Sequence, residues 1–412
     1  MPRPGTVTGG RSVRGAACDP DFMRSPTPPV ALQPSVWASL ERSVDMGTVP
    51  PALLFVGLPG VGKVEAAVAL ARALNCEAGP GGRPCGECRS CRRMLGGNHP
   101  NLRLIYPVPS PSAGKSEEKQ QEEVEAALAE VLEARRTEKL FAFEPERIWP
   151  GRKASIQIDH VRSLKRELSY SLGEGNARVV VLAEAHAMTA EAANALLKIL
   201  EEPGPRTHWI LTTSRPGRLL PTIRSRCRAM EFEPVALEPL TEFLAARLGA
   251  PAAQVRTAAA MAQGSPAAAV RLLGAGADVL AERDQALELW RAAQSGNWSA
   301  VERAVEGLRF RCYRDRGLVG RILRLWLLFV RDLLLAKAGL PEGQMANLDR
   351  LEAVRKTAAQ VPWETLNARF AVLEDCLAAE NLNVAPEVLL YSALTRLTQA
   401  PGPTGAASRQ VS

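Results

Sequence analysis

The chain has no uninterrupted hydrophobic stretch long enough to cross a bilayer, and that lack removes a class of functions. Its most apolar run, residues 325–330, is broken by Arg324, Arg331 and Asp332, which predicts a buried helix and not a membrane span. An apolar core is also lacking behind the N-terminal arginines, so no secretory signal is legible there. Cysteine lacks the even distribution of a secreted disulfide scaffold: four of the eight lie within sixteen residues, while Cys18, Cys227, Cys312 and Cys376 are scattered. That pattern fits a reducing cytoplasm. Past about Leu237 strand patterns are missing, and the remainder reads as helix.

What is present is a soluble composition of 46% hydrophobic and 23% charged residues over 412 positions, too long for one core and long enough for two or three domains. The net charge of +7 is compatible with an anionic partner without requiring one. Residues 1–31 are rich in Gly, Pro, Ser and Arg and read as a disordered leader, and 401–412 as a frayed tail. Order is expected from about Leu32, with Val36, Leu40 and Val44 at helical spacing. The apolar run 52–56 ends in glycine and is followed by a helical pattern over 65–74. Strand, glycine loop and helix in that order announce an α/β domain. Residues 106–153 read as an insertion: prolines open it and a charged, alanine-rich helix follows over 117–136, acidic early and basic late as the helix dipole favours. A solvated helical excursion without chemistry is expected there. A helix from about 160 to 171, strands over 178–182 and 209–213, and a helix over 189–201 complete the α/β pattern.

The glycine loop reads Gly57-Leu-Pro-Gly60-Val-Gly62-Lys63. Its glycines allow backbone N–H groups to turn inward around a phosphate, and Lys63 supplies a point charge. The next position needs a hydroxyl to ligate Mg²⁺, and Val64 offers none. The strand 178–182 runs into Ala183-Glu184, where an active enzyme of this kind ends in an Asp that holds the metal shell. Two losses at one metal predict a domain that does not hydrolyse ATP. Binding of ATP or ADP without hydrolysis stays open.

Cys76, Cys85, Cys88 and Cys91 follow, with eight, two and two residues between them. Thiolates at that spacing reach one tetrahedral Zn²⁺, and four sulfurs leave no open position, so the site is structural. His99 is not needed as a ligand and reads as a loop histidine. Arg89, Arg92 and Arg93 leave contact with nucleic acid open. The stretch 215–228 carries five arginines, with Arg226 inside Ser225-Arg226-Cys227. An arginine there is either a donor to a neighbouring subunit's γ-phosphate or part of a DNA-facing or merely solvated basic surface.

Taken together, the phosphate loop, the four-cysteine module, the run 193–203 (Ala-Asn-Ala-Leu-Leu-Lys-Ile-Leu-Glu-Glu-Pro) and Ser225-Arg226-Cys227 resemble the bacterial clamp-loader AAA+ family. The resemblance is strong over about 32–285 and weaker beyond, where 331–335 and 381–383 look like the family's collar. It implies a parallel-sheet α/β AAA+ domain over 32–234 with a zinc module at 76–91 and a helical insertion at 106–153. An all-helical lid over 235–282 and an all-helical collar that assembles the ring, over 283–400, would follow. Two subunit types of the family carry the cysteine module: a tau/gamma motor with intact nucleotide motifs, and a stator degenerate in them that keeps the arginine. Val64, Ala183 and Ala267, which stands where motors place a lid arginine, resemble the stator. The resemblance further implies Arg226 acting in trans, and tau/gamma and delta subunits, a sliding clamp and primer-template DNA as partners. A hydrolysing motor of tau/gamma type and a zinc-dependent nucleic-acid module are the alternatives.

Overall fold

The computed structural model describes residues 31–78, 84–112, 114, 116–138, 142–149, 152–168, 176–248, 250–274, 279–314, 318–379 and 384–400. The expected leader and C-terminal tail, the 381–383 motif and the end of the helix expected to reach 171 lie outside them. No helix among the described residues is long and apolar enough to cross a membrane.

Five parallel strands form the central sheet: β1 (Ala52–Gly57), β2 (Leu102–Ile105), β5 (Arg178–Leu182), β6 (Thr207–Thr213) and β7 (Arg228–Phe232), in the order β2-β5-β6-β1-β7. Ala52 pairs with Trp209, Arg178 with Thr207 and Leu102 with Val179. The continuous apolar runs of β1 and β5 are buried on both faces, as a helix-covered parallel sheet requires. β2 and β7 have no such signature. β2 is four residues long with Arg103 exposed, and β7 is an edge strand of which only Phe232 is fully buried. Both escape a reading that searches for buried runs. A two-stranded antiparallel ribbon, β3 (Val108–Pro109) with β4 (Ala154–Ser155), closes the base of the insertion.

One face of the sheet packs on the helices Ile158–Leu168, Ala190–Glu201 and Pro221–Arg226. The opposite face packs on Pro34–Asp45, on Lys63–Leu74 and on residues beyond 235. Segment 106–153 joins this second layer, which corrects the expectation of a solvated excursion. Tyr106, Val108, Val131, Ala142 and Trp149 are buried in the same core, and Val124, Ala127, Leu128 and Leu132 pack against it. The helix Glu117–Thr137 carries these apolar residues at three- and four-residue intervals, one stripe within a charged sequence whose average composition conceals it. Arg135 reaches Glu65 of the phosphate-loop helix at 3.8 Å, and Arg136 donates to the Gly96 carbonyl and to Asn98 Oδ1 beside the cysteine module.

All the described structure after β7 is helical. Leu237–Leu248, Ala252–Met261 and Pro266–Gly274 pack together and contribute Leu240, Leu244, Val255, Ala267 and Ala269 to the sheet-side core. A separate core is built from Val279–Gln294, Trp298–Arg314, Leu318–Lys337, Trp363–Ala379 and Pro386–Gln399, with Trp290 and Trp326 at its centre. Position 282/283, the expected boundary between lid and collar, falls within the continuous helix Val279–Gln294.

Candidate functional site

The carboxyl ends of β1, β5 and β6 meet at the glycine loop, the position where open α/β sheets receive ligands. Gly60 adopts φ +71° and Gly62, which starts the helix Lys63–Leu74, adopts φ +105°. These are left-handed values that glycine tolerates and other residues rarely adopt. Lys63 is only 4% exposed. Its ammonium donates to the carbonyl oxygens of Gly57 and Leu58, both at 2.7 Å, and stands 4.0 Å from Glu184 Oε1. Burial lowers its pKa, with Glu184 and Glu65 acting in the opposite direction. The lysine therefore solvates its own loop.

Val64 turns toward the core, and Ala183 is 1% exposed at the end of β5, where its N–H is held by the Ile105 carbonyl. Neither expected Mg²⁺ position carries a side-chain oxygen. Glu184 is held in place: it has φ +49°, its Oε2 accepts from Ser214 Oγ at 3.1 Å, and His186 Nδ1 lies 3.4 Å from the same oxygen.

The helical segment after 235 closes over the loop. Ser265 Oγ donates to the Pro59 carbonyl at 2.9 Å, and the Ala267 N–H donates to the Gly60 carbonyl at 3.2 Å. A methyl group added to Gly60 would stand 2.7 Å from Ser265 Oγ and 2.8 Å from Ala267 Cβ. Sequence reasoning singled out Ala267 for the arginine it replaces, and missed this contact. Only folding brings residues two hundred positions apart together.

The four cysteines converge. The sulfurs of Cys76, Cys85, Cys88 and Cys91 lie within 4.8 Å of one another, and tetrahedral Zn–S bonds of about 2.3 Å require sulfurs about 3.8 Å apart. Backbone N–H groups of Cys85, Cys88 and Cys91 point at the sulfurs of Cys76, Cys85 and Cys88, at 3.3–3.4 Å. Burial alone would raise the Cys85 thiol, but the N–H groups of Cys88 and Glu87 and the neighbouring thiols draw it down to about 7. Burial pushes Cys91 up to about 12. A donor set of four thiols with N–H groups aimed at sulfur fits a closed thiolate-bound ion. His99 stands outside this set as a buried loop residue. The Asn101 N–H donates to its Nδ1, leaving its Nε2 proton for Ser90 Oγ at 3.2 Å.

Asn75, immediately before Cys76, ties the module to the sheet. Its Nδ2 donates to the carbonyls of Ala71 and Ala177, and its Oδ1 accepts from the N–H groups of Asn176 and Ala177. Asparagine at the end of a helix, beside the first cysteine, was the sequence signal for it.

Arg226 lies at the opposite side of the sheet. Cys227 and Ile223 are buried beneath it, and burial keeps the Cys227 thiol neutral with a pKa raised to about 11. The guanidinium points outward and is held by Glu201, the first glutamate of the Glu-Glu-Pro run. The helix Pro221–Arg226 packs on one face of the sheet and the phosphate-loop helix Lys63–Leu74 on the other, so Arg226 and the phosphate loop of its own chain are on different layers.

A family described as DNA polymerase III, delta subunit, matches residues 32–236. The delta' subunit of Bacillus subtilis is 33% identical over 204 residues, covering 50% of this chain and 48% of that protein. The delta' subunit of Escherichia coli K12 is 30% identical over 262 residues, 64% and 66% of the two chains. The chain belongs to the clamp-loader delta-prime family. Gamma/tau subunits of the same polymerase are also similar, that of Mycobacterium tuberculosis H37Rv being 32% identical over 203 residues, 49% of this chain and 28% of that one. The matches to the first four delta-prime relatives span between 39% and 66% of those proteins' lengths. The described residues form a parallel-sheet α/β domain followed by a helical C-terminal region.

Proposed function

We propose that this chain is a non-hydrolysing stator subunit of a replicative clamp loader, supplying Arg226 to the ATP of a neighbouring motor subunit. The observation that carries the reading is the pair of apolar residues at the magnesium positions, Val64 packed toward the core and Ala183 buried at the end of β5. Without an oxygen at either place, a nucleotide's metal has no protein anchor. Two further features agree with it: Lys63 is engaged by loop carbonyls, and Ser265 and Ala267 cover Pro59 and Gly60. ATP or ADP held by Gly57, Gly60, Gly62 and Lys63 would first have to displace these contacts. Arg226, by contrast, is exposed and anchored from below, the disposition a residue needs to act across an interface.

In this reading the segment 32–234 is the AAA+ unit, 235–282 its lid and 283–400 the collar that joins tau/gamma and delta subunits into a ring. That ring places a sliding clamp on primer-template DNA. Cys76, Cys85, Cys88 and Cys91 would hold a structural Zn²⁺, whose contribution is to cross-link the loop that follows the phosphate-loop helix. The protein would work in the cytoplasm, where thiols stay reduced.

Two assays test the proposal together. The purified subunit is expected to show no ATPase above background. A reconstituted loader carrying Arg226→Ala is expected to lose about ten-fold or more of the turnover at the site it serves. Magnesium-dependent turnover by the isolated chain, abolished by Lys63→Ala, would establish the motor alternative instead.

A further inference from the structure

The run 193–203 ends in two glutamates and a proline to which the reading above gives no task. Glu201 closes the helix Ala190–Glu201, and Arg226 closes the short helix Pro221–Arg226 packed beside it. Arg226 Nε and Nη2 both donate to Glu201 Oε1, at 3.0 and 2.5 Å, and Nη1 donates to the Thr222 carbonyl at 3.1 Å. A guanidinium has five N–H donors in a rigid planar fork. Nε and Nη2 form its side edge, which the carboxylate occupies. Thr222 lies one turn back along the same helix and takes a third donor. Among the described residues, what stays unengaged is one N–H on each terminal nitrogen, the pair that matches two oxygens of a phosphate end-on.

We infer that Glu201 is a positioning residue for Arg226: it grips the side edge of the guanidinium and so presents the end edge outward, toward the γ-phosphate of a nucleotide on the neighbouring subunit. The inference rests on the proposed trans role of Arg226. An arginine side chain that is 36% exposed would otherwise sample many rotamers, and fixing it before the partner arrives removes that entropy from the reacting step. A carboxylate so close weakens the cation's field. The arrangement therefore favours geometry over charge, and the two contributions separate by substitution.

The test uses the reconstituted loader with wild-type protein, Arg226→Ala, Glu201→Ala, Glu201→Gln and the Arg226→Ala/Glu201→Ala pair. Clamp- and DNA-stimulated ATPase is measured for its kcat and KM. Glu201→Ala is expected to lower kcat about ten-fold with KM for ATP little changed. Glu201→Gln, whose amide oxygen still accepts from both nitrogens, should restore most of it. The double variant should match Arg226→Ala alone. An unchanged Glu201→Ala overturns the inference, as does a raised kcat, which would make Glu201 a restraint that parks the arginine. A double variant well below Arg226→Ala also overturns it, because Glu201 would then act elsewhere. If Arg226→Ala is itself normal, the stator reading fails; if Arg226→Ala is impaired and Glu201→Ala is not, only the positioning role fails.

Discussion

Single positions decide the chemistry of the phosphate loop. Gly60 combines φ +71° with neighbours under 3 Å from the place of a Cβ atom, and both neighbours belong to the segment that covers the loop. Gly60→Ala is therefore expected to cost about 1–3 kcal/mol, read as a lower urea midpoint of the isolated protein. Ser265→Ala removes the bond to the Pro59 carbonyl and should cost about 1 kcal/mol without the steric component. Equal effects of the two would mean that the contact contributes nothing beyond the hydroxyl. Glu201 shows how a short motif carries more than its spacing reveals. Its identity was legible in the run that ends in Pro203, but the arginine it holds lies 25 residues further on, and nothing in the sequence pairs them.

At the scale of elements, the cysteine module and the helix Ile158–Leu168 make separate predictions. The module is a loop and a seven-residue helix, Arg89–Leu95, too small to hold itself together by apolar burial. Removing bound metal with a strong chelator is expected to lower the melting temperature by several degrees, with about one Zn²⁺ released per chain. Metal analysis that finds no zinc in protein purified without chelator would refute this. The second element holds His160, whose Nδ1 accepts from the Gln157 N–H and whose pKa is lowered by burial. The unfolded chain takes up a proton near pH 6.5 and the folded chain does so only at lower pH. The stability that this group contributes is thus complete above that value and lost as pH falls through the depressed folded pKa. His186 has the same sign, again chiefly by burial. The melting temperature should fall on acidification from pH 7 toward about pH 5, and His160→Gln should flatten that slope. The same slope in the variant would assign it to other groups.

For the whole molecule, the helices on the C-terminal side of the junction between its two helical regions are held by a buried polar network. Arg283 is 2% exposed and pairs with Asp349 through both oxygens at 2.7 Å and with Asp284 at 3.0 Å. Asp332, fully buried, accepts from the N–H groups of Ala346 and Asn347 and from the Asn347 side chain. Arg331 bonds Gln263, which joins the helix Leu318–Lys337 to the layer that covers the phosphate loop. Asp349→Asn leaves Arg283 one charged partner, so the expected loss is about 2 kcal/mol, below the about 3–5 kcal/mol of a pair broken completely. Denaturation followed by a probe near Trp326 and a second near Trp209 should report it, with the two transitions moving apart if the junction couples the regions.

The sequence by itself determined the α/β class, the strands β1, β5 and β6, the helical remainder and the convergence of four cysteines. Each of these is written in local order: buried runs, helical spacing, short ligand intervals. It also exposed the missing oxygens at positions 64 and 183, because those are identities and need no geometry. Tertiary structure alone decided the rest. β2 and β7 are strands because neighbours pair with them, since four residues or an exposed edge carry too little burial to show a period. The helix Glu117–Thr137 packs on the core because its apolar stripe finds the sheet-side layer, although its composition reads as solvated. The cover over Gly60, the grip of Glu201 on Arg226 and the Arg283–Asp349 pair join residues 25 to 207 positions apart. Hydrogen bonds of that kind depend on where the chain returns in space, which no local pattern encodes.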